Sequence, residues 1–209
     1  MKRLFAFVLS ALCLMSLAAC GRNKDTVFKN EIPNRIAFTF AFNEYGYESD
    51  EIYFCQIIGN DLFVYEDFGE NIYGRFFEYK NGECNFYYRN YTGDNVWLRD
   101  TELEKAFKVS DIEAALNVYV GPGYALNVEI LQGMNLKGEG YVVDAVCDIY
   151  GYDDESYYYD ADTNMILKYV DPDMDFYYEV FDRSYGVIEF LDSPMDPSSS
   201  VDFRAVFGK

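Results

Sequence analysis

Apolar and polar positions alternate strictly over residues 36–42. Ile36, Phe38, Phe40 and Phe42 are large and apolar, and Ala37, Thr39 and Ala41 between them are small or polar. A period of two predicts a strand with one buried face. The same pattern predicts strands over 51–58, 62–66, 74–80, 83–90 and 96–99. Asn81-Gly82 falls between two of these and predicts a tight type I′ hairpin, because both central positions of that turn take positive φ.

The pattern changes in mid-chain. Thr101-Glu102-Leu103-Glu104 and Ser110-Asp111-Ile112-Glu113 fit the capping box, in which a hydroxyl and a carboxylate three residues on satisfy the first free helical amides. Two short helices are expected, over 101–108 and 111–118. Leu103, Ala106 and Phe107 share one face of the first, and Ile112, Ala115 and Leu116 one face of the second. Gly121-Pro122-Gly123 is expected to end the helical stretch. Strands are then expected over 124–131, 140–150, 156–160, 165–170, 175–182, 186–191 and 201–207. In the long run 140–150, Tyr141, Val143, Ala145, Cys147 and Ile149 make one face, and Val142, Asp144, Val146, Asp148 and Tyr150 a more polar one. The Pro- and Ser-rich stretch 192–200 reads as a mobile surface loop. Turn residues at intervals of roughly 8–12 positions predict an antiparallel meander. The fold class is mainly β, with a small mid-chain helical insert in a single domain over 35–209.

Ahead of the domain, Met1-Lys2-Arg3 is positively charged and 4–17 is apolar. That run is shorter than the roughly 20 residues a membrane-spanning helix needs. Small residues follow it, as in an export signal. Leu17-Ala18-Ala19-Cys20 resembles the lipobox of bacterial lipoproteins. The resemblance implies a signal peptide over 1–19, cleavage before Cys20, and a diacylglyceryl group on the Cys20 thiol. Two acyl chains suffice for stable anchoring. The expected location is the cell envelope, on the extracytoplasmic side of a bacterial membrane. Residues 20–34 then form the lipidated N-terminus and a polar leash. Secretion with cleavage at the same place and an unmodified cysteine is the alternative.

Charge narrows the partners. The chain carries 17 basic and 36 acidic residues, a formal net charge of −19. Loss of residues 1–19 removes Lys2 and Arg3 and no acid, leaving −21. Nucleic acid is not an expected partner. The acidity serves solubility, a cationic partner or loosely held divalent cations. There is no histidine, which removes Ser-His-Asp and Cys-His catalysis and histidine-bearing zinc sites. Cys55, Cys84 and Cys147 lack the paired spacing of metal or redox motifs, and Cys55 and Cys147 read as buried thiols. Gly121-Pro122-Gly123 and Gly138-Glu139-Gly140 read as turn glycines, with no phosphate-binding loop. The chain reads as non-catalytic, without a cofactor.

Asp160-Ala161-Asp162-Thr163-Asn164, with Asp171 at the twelfth position, has the alternating oxygens of a calcium loop. Met165 stands where that loop needs glycine, so a plain hairpin turn is the stronger reading. Asp171-Pro172-Asp173-Met174-Asp175 has the same alternation, with Phe176 in the glycine position. Tyr157-Tyr158-Tyr159 and Tyr177-Tyr178 are candidates for an aromatic recognition platform or, more simply, for packing. The lone tryptophan, Trp97, weakens a sugar-stacking surface.

The lipobox, the short leash, the strand-rich chain with aromatic hairpins, the helical stretch and the segment 157–168 together resemble LolA/LppX-type lipoprotein carriers. The resemblance implies a strongly curved antiparallel sheet forming a half-barrel, helices over its open side, and an apolar cavity accepting acyl chains. That group has a helix before the first strand, which Pro33 does not favour here. The implied function is binding of an apolar or lipid ligand between the sheet and the helices spanning Leu103 to Leu116. Phe38, Phe40, Leu126, Val128, Val143 and Ile149 would line the cavity, if they are not ordinary core. The alternative is a structural or interaction lipoprotein with a filled core, contacting an envelope protein through its acidic, tyrosine-rich surface.

Overall fold

A computed structural model describes residues 26–43, 51–107, 115–116, 120–187 and 189–195. The chain forms strands β1 (Arg35–Asn43), β2 (Glu51–Ile58), β3 (Asp61–Asp67), β4 (Ile72–Lys80), β5 (Glu83–Asn90) and β6 (Trp97–Arg99). Helix α1 (Thr101–Phe107), helix α2 (Val120–Leu126) and a 3-10 turn (Val128–Leu131) follow. The chain then forms β7 (Asn135–Val142), β8 (Ala145–Gly151), β9 (Ser156–Asp160), β10 (Met165–Asp171) and β11 (Phe176–Tyr185). The eleven strands among the described residues belong to one antiparallel sheet in the order β6-β5-β4-β3-β2-β1-β11-β10-β9-β8-β7. Two meanders, one on each side of the helical insert, are joined where β1 pairs with β11. The fold class expected from the sequence, a mainly β curved sheet with a small helical insert, is the observed one.

The curvature has a direct measure. Arg183 of β11 reaches Asp144 in the β7–β8 turn, Nη2 to Oδ1 at 3.1 Å, and Asp160 at 3.5 Å. In a flat sheet, three or four strand spacings of about 4.8 Å would separate β11 from the β7–β8 turn, and two would separate it from β9. The second meander therefore curls back on itself.

In the first meander the period of two sorts the side chains cleanly. Ile36, Phe38, Phe40, Cys55, Ile57, Val64 and Phe77 enter the main core, together with Ala115 and Leu116, Ala125 and Leu126 from the helical insert. On the opposite face, Ala37, Phe54, Phe63, Tyr65 and Phe76 form a second core. The segment after β11 covers it. Asn81 and Gly82 both take positive φ, at 57° and 82°, as the hairpin requires.

Several expectations are corrected. The run 140–150 is two strands that reverse at Val143-Asp144, where Val142 pairs with Ala145. Ahead of the reversal the expected faces are exchanged: Val142 is buried, Tyr141 is exposed, and Val143 is 61% exposed at a φ of 53°, an uncommon value for a β-branched residue. After it Ala145 and Cys147 are buried and Val146 is exposed, as expected. The segment 124–131 is helical, not a strand. Pro122 falls in the first turn of α2, where its missing N–H costs no helical bond. Gly138 and Gly140 lie inside β7 and are not turn glycines. A Cβ on Gly140 would stand 2.9 Å from the Tyr158 ring, so the glycine makes room for that ring.

The described residues of 186–191 do not form a strand; they leave the sheet at Gly186 (φ 76°). Gln56 holds this segment by donating to the Glu189 carbonyl and accepting from the Leu191 amide. Val187, Phe190 and Leu191 pack on the second core. Asp192, expected at the start of a surface loop, is 1% exposed. Its carboxylate accepts from Arg89, Tyr91, Trp97 and the Ser193 amide, and these four donors account for its burial. The expected strand 201–207, the second capping box and most of the second expected helix lie outside the described residues. In the first helix, Asp100 rather than Thr101 supplies the cap, accepting from the Leu103 amide at 2.8 Å. Glu104 accepts from the Phe86 amide and Arg99 instead of closing a capping box.

Candidate functional site

A third, smaller core lies where α2 and the 3-10 turn cross the second meander. It is built from Phe28, Val128, Leu131, Tyr150, Tyr157 and Ile166. The pleat of β10 sends Ile166 to this core and its neighbour Leu167 to the main one, and the register shift between Ile166 and Lys168 brings Tyr169, three positions on, to the side of Ile166.

Between this core and the helical insert lies a cleft of about 160 Å³. Tyr157, Ile166 and Tyr169 form its sheet side. Leu116, Gly123, Tyr124, Asn127 and Ile130 form its helical side. A Cβ on Gly123 would stand 3.0 Å from the Leu116 carbonyl, so the glycine lets α2 approach residue 116. The Asn127 amide donates to the Gly123 carbonyl at 2.9 Å and closes the helix. Asn127 and Ile130 are exposed and mark the mouth.

Among the described residues the walls are largely aromatic and uncharged. Tyr157 and Tyr169 stack with centroids 4.3 Å apart, and Tyr124 lies nearly parallel to Tyr169 at 6.4 Å. Tyr124 also meets Tyr178, which continues the ring series into the main core through Phe40 and Tyr53. Burial raises the pKa of Tyr157 and, reinforced by a hydrogen bond to Tyr157, that of Tyr169. Both phenols stay protonated at any physiological pH. The Tyr169 hydroxyl donates to Asp171 at 3.2 Å. Among the described lining residues, Asn127 is the one with a polar side chain besides the tyrosines.

Size decides what the cleft can hold. A cavity of about 150 Å³ with apolar walls holds benzene, whereas sites for drug-sized ligands span about 300–1,000 Å³. One ring or a short run of methylenes fits, and a whole multi-chain lipid does not. Uncharged walls disfavour an ionic group, whose desolvation would go uncompensated.

The cavity residues expected from the sequence do not line the cleft. Phe38, Phe40, Leu126 and Val128 are buried in the cores, Val143 is exposed at its turn, and Ile149 is half-buried. Leu116 lines the cleft from within the expected helical region. Tyr157, one of the aromatic candidates, lines it too; Tyr158 and Tyr159 do not. Tyr169 was missed, although it is legible as the residue that meets Tyr157 across the Asp160–Asn164 hairpin once the bulge adds one position. Trp97 is packed against the second core, its indole N–H donating to Asp192.

The candidate cation loop is a hairpin turn. Asp160 accepts from the Asp162 amide and the Thr163 hydroxyl, and Asp171 accepts from the amides of Asp173 and Met174. Among the described residues, no group of three or more Asp, Glu or Cys side chains is arranged to hold a metal ion. Glu66 is buried and paired with Arg75 at 2.8 Å. Cys55 and Cys147 are buried and Cys84 is half-buried.

No protein-family model matches the chain, and no curated protein matches it in sequence. Among solved structures, the chain is similar to MucB in complex with MucA(peri), at 13% identity and a TM-score of 0.34. It is also similar to the Pseudomonas aeruginosa MucA/MucB complex, at 12% identity and a TM-score of 0.34. In each case 75% of this chain is covered, and the chain spans about half the length of its match, 52% and 53%.

Proposed function

We propose that this protein is a non-catalytic, extracytoplasmic lipoprotein that binds a neutral apolar group in the cleft between α2 and the β9–β10 hairpin. The cleft itself carries the reading: an apolar, ring-lined space of about 160 Å³ with an open mouth and no charged lining residue among the described residues. In this proposal residues 1–19 are the signal peptide, Cys20 carries the diacylglyceryl group, and residues 35–209 form the ligand-binding domain. The ligand presents a ring or a stretch of acyl chain to Tyr124, Tyr157 and Tyr169, and the rest of it stays outside the mouth.

Titration of the domain with octanol, followed by calorimetry, tests this. Ile130 is 42% exposed, so Ile130→Trp fills the mouth without disturbing a core. Binding by the wild type and at least about tenfold weaker binding by the variant, a difference of about 1.4 kcal/mol, is the expected result. Equal binding by both proteins would move the ligand elsewhere, and no binding by either would remove the reading.

A further inference from the structure

The residues that leave the proposed lipid anchor run along the mouth of the cleft. The Thr26 carbonyl accepts from the Gln132 side chain, and the Phe28 amide donates to the Gln132 side-chain oxygen. Asn30 makes three further bonds: its side chain donates to Asn127, its side-chain oxygen accepts from the Glu129 amide, and its own amide donates to the Glu129 carboxylate. Asn127 and Ile130, on the same short stretch, form the mouth. Phe28 buries its ring edge-on against Tyr150 and Tyr159. The start of the described chain is therefore fixed beside the opening, not loosely attached to some other side of the domain.

Residues 20–25 separate the Cys20 position from Thr26. At no more than about 3.6 Å per residue, that chain spans roughly 20 Å when fully extended, less than the size of the domain. The register sets Tyr157 and Ile166 of the cleft level with Leu136 and Glu139 of β7, so the Val143-Asp144 turn lies roughly 13–23 Å further along the sheet by strand length. A short tether fixed at one end of a body keeps that end nearest the surface.

We infer that the cleft opens towards the membrane that holds Cys20, and that membrane lipid is the source of its ligand, an acyl chain entering at Asn127 and Ile130. The inference rests on the proposed lipidation and on the proposed binding function. An acyl chain would pass between bilayer and cleft over a short gap, with little exposure of methylenes to water. The negative body favours this arrangement too, because a bilayer with anionic lipid repels it as a whole and leaves the tethered end closest.

The test uses full-length lipidated protein in zwitterionic vesicles containing lipids with a nitroxide on the headgroup. A fluorophore is placed through Ile130→Cys or through Val143→Cys, each combined with Cys84→Ser to remove the half-exposed native thiol. Both positions are exposed. The expected result is co-flotation with vesicles and several-fold stronger quenching at position 130 than at 143. Equal quenching at the two positions, or stronger quenching at 143, would overturn the orientation while leaving the anchor intact. Loss of co-flotation would overturn the anchor and the orientation together, and octanol binding by the soluble domain would still report on the cleft separately.

Discussion

Arg89 donates from Nη1 to Oδ2 of Asp192 across 2.8 Å, tying β5 to the segment that follows β11. The two side chains are 6% and 1% exposed. A buried pair of this kind costs most when one partner is removed, because the remaining charge keeps its desolvation penalty. Asp192→Ala is expected to lower stability by about 3–5 kcal/mol in urea unfolding. Asp192→Asn, which keeps a hydrogen-bond acceptor, is expected to cost less. A loss below about 1 kcal/mol for the alanine variant would make the pair no stronger than a surface one.

Gly74 supports the same clamp from below. A Cβ there would stand 2.7 Å from the Tyr91 hydroxyl and 2.9 Å from its ring, and that hydroxyl donates to Asp192 at 2.6 Å. Elsewhere in a strand, glycine to alanine would add about 0.5–1 kcal/mol. Gly74→Ala is expected to do the opposite, lowering the urea midpoint and changing the near-ultraviolet tyrosine signal. An unchanged or higher midpoint would show that Tyr91 moves aside at no cost.

Tyr178 has the one buried side-chain oxygen or nitrogen without a hydrogen-bond partner among the described residues. Its ring packs on Phe40 and Tyr124, and burial pushes its pKa far up. An unsatisfied buried hydroxyl costs about 1–3 kcal/mol. Tyr178→Phe is therefore expected to raise the melting temperature. A fall would mean that the hydroxyl has a partner in solution, such as an internal water.

Burial, with Asp160 nearby, pushes the Cys147 thiol up to about 11 from its ordinary 9.0, and burial alone raises Cys55 further. A group whose folded pKa is raised contributes stability that is intact below the unfolded value and lost as pH rises through the folded one. Stability is expected to fall between about pH 9 and 11, and Cys147→Ala should flatten that fall. Iodoacetamide at neutral pH should label Cys84 in the native protein and spare the other two. Labelling of all three at equal rates would contradict the burial of Cys55 and Cys147.

The strands were legible where large apolar residues alternate with small or polar ones, as in β1, although both faces of that strand are buried, the large residues in the main core and Ala37 in the second. The β4–β5 hairpin was legible because Asn81-Gly82 satisfies a backbone requirement that few other pairs meet. The reversal at Val143-Asp144 was hidden because neither residue announces a turn, and Val143 takes a φ that its side chain disfavours. Helix α2 was hidden by Pro122 and two glycines, which read as a stop until their place in the first turn is known. The cleft was the least legible part. Its lining comes from two stretches, 116–130 and 157–169, and it depends on the β10 register shift that puts Tyr169 on the side of Ile166. Apolar residues in strands look alike whether they fill a core or border a space, which is why Phe38 and Phe40 read as lining and are packed solid.

The central claim is that the cleft binds a neutral apolar group. Native mass spectrometry of residues 21–209, purified from a bacterial host without detergent and compared with the same sample after denaturing extraction, tests it most directly. A stoichiometric adduct that is released on denaturation, and that the Ile130→Trp variant lacks, is the predicted result. A clean apo mass for the wild type, unchanged when octanol or phospholipid is supplied, would contradict the claim.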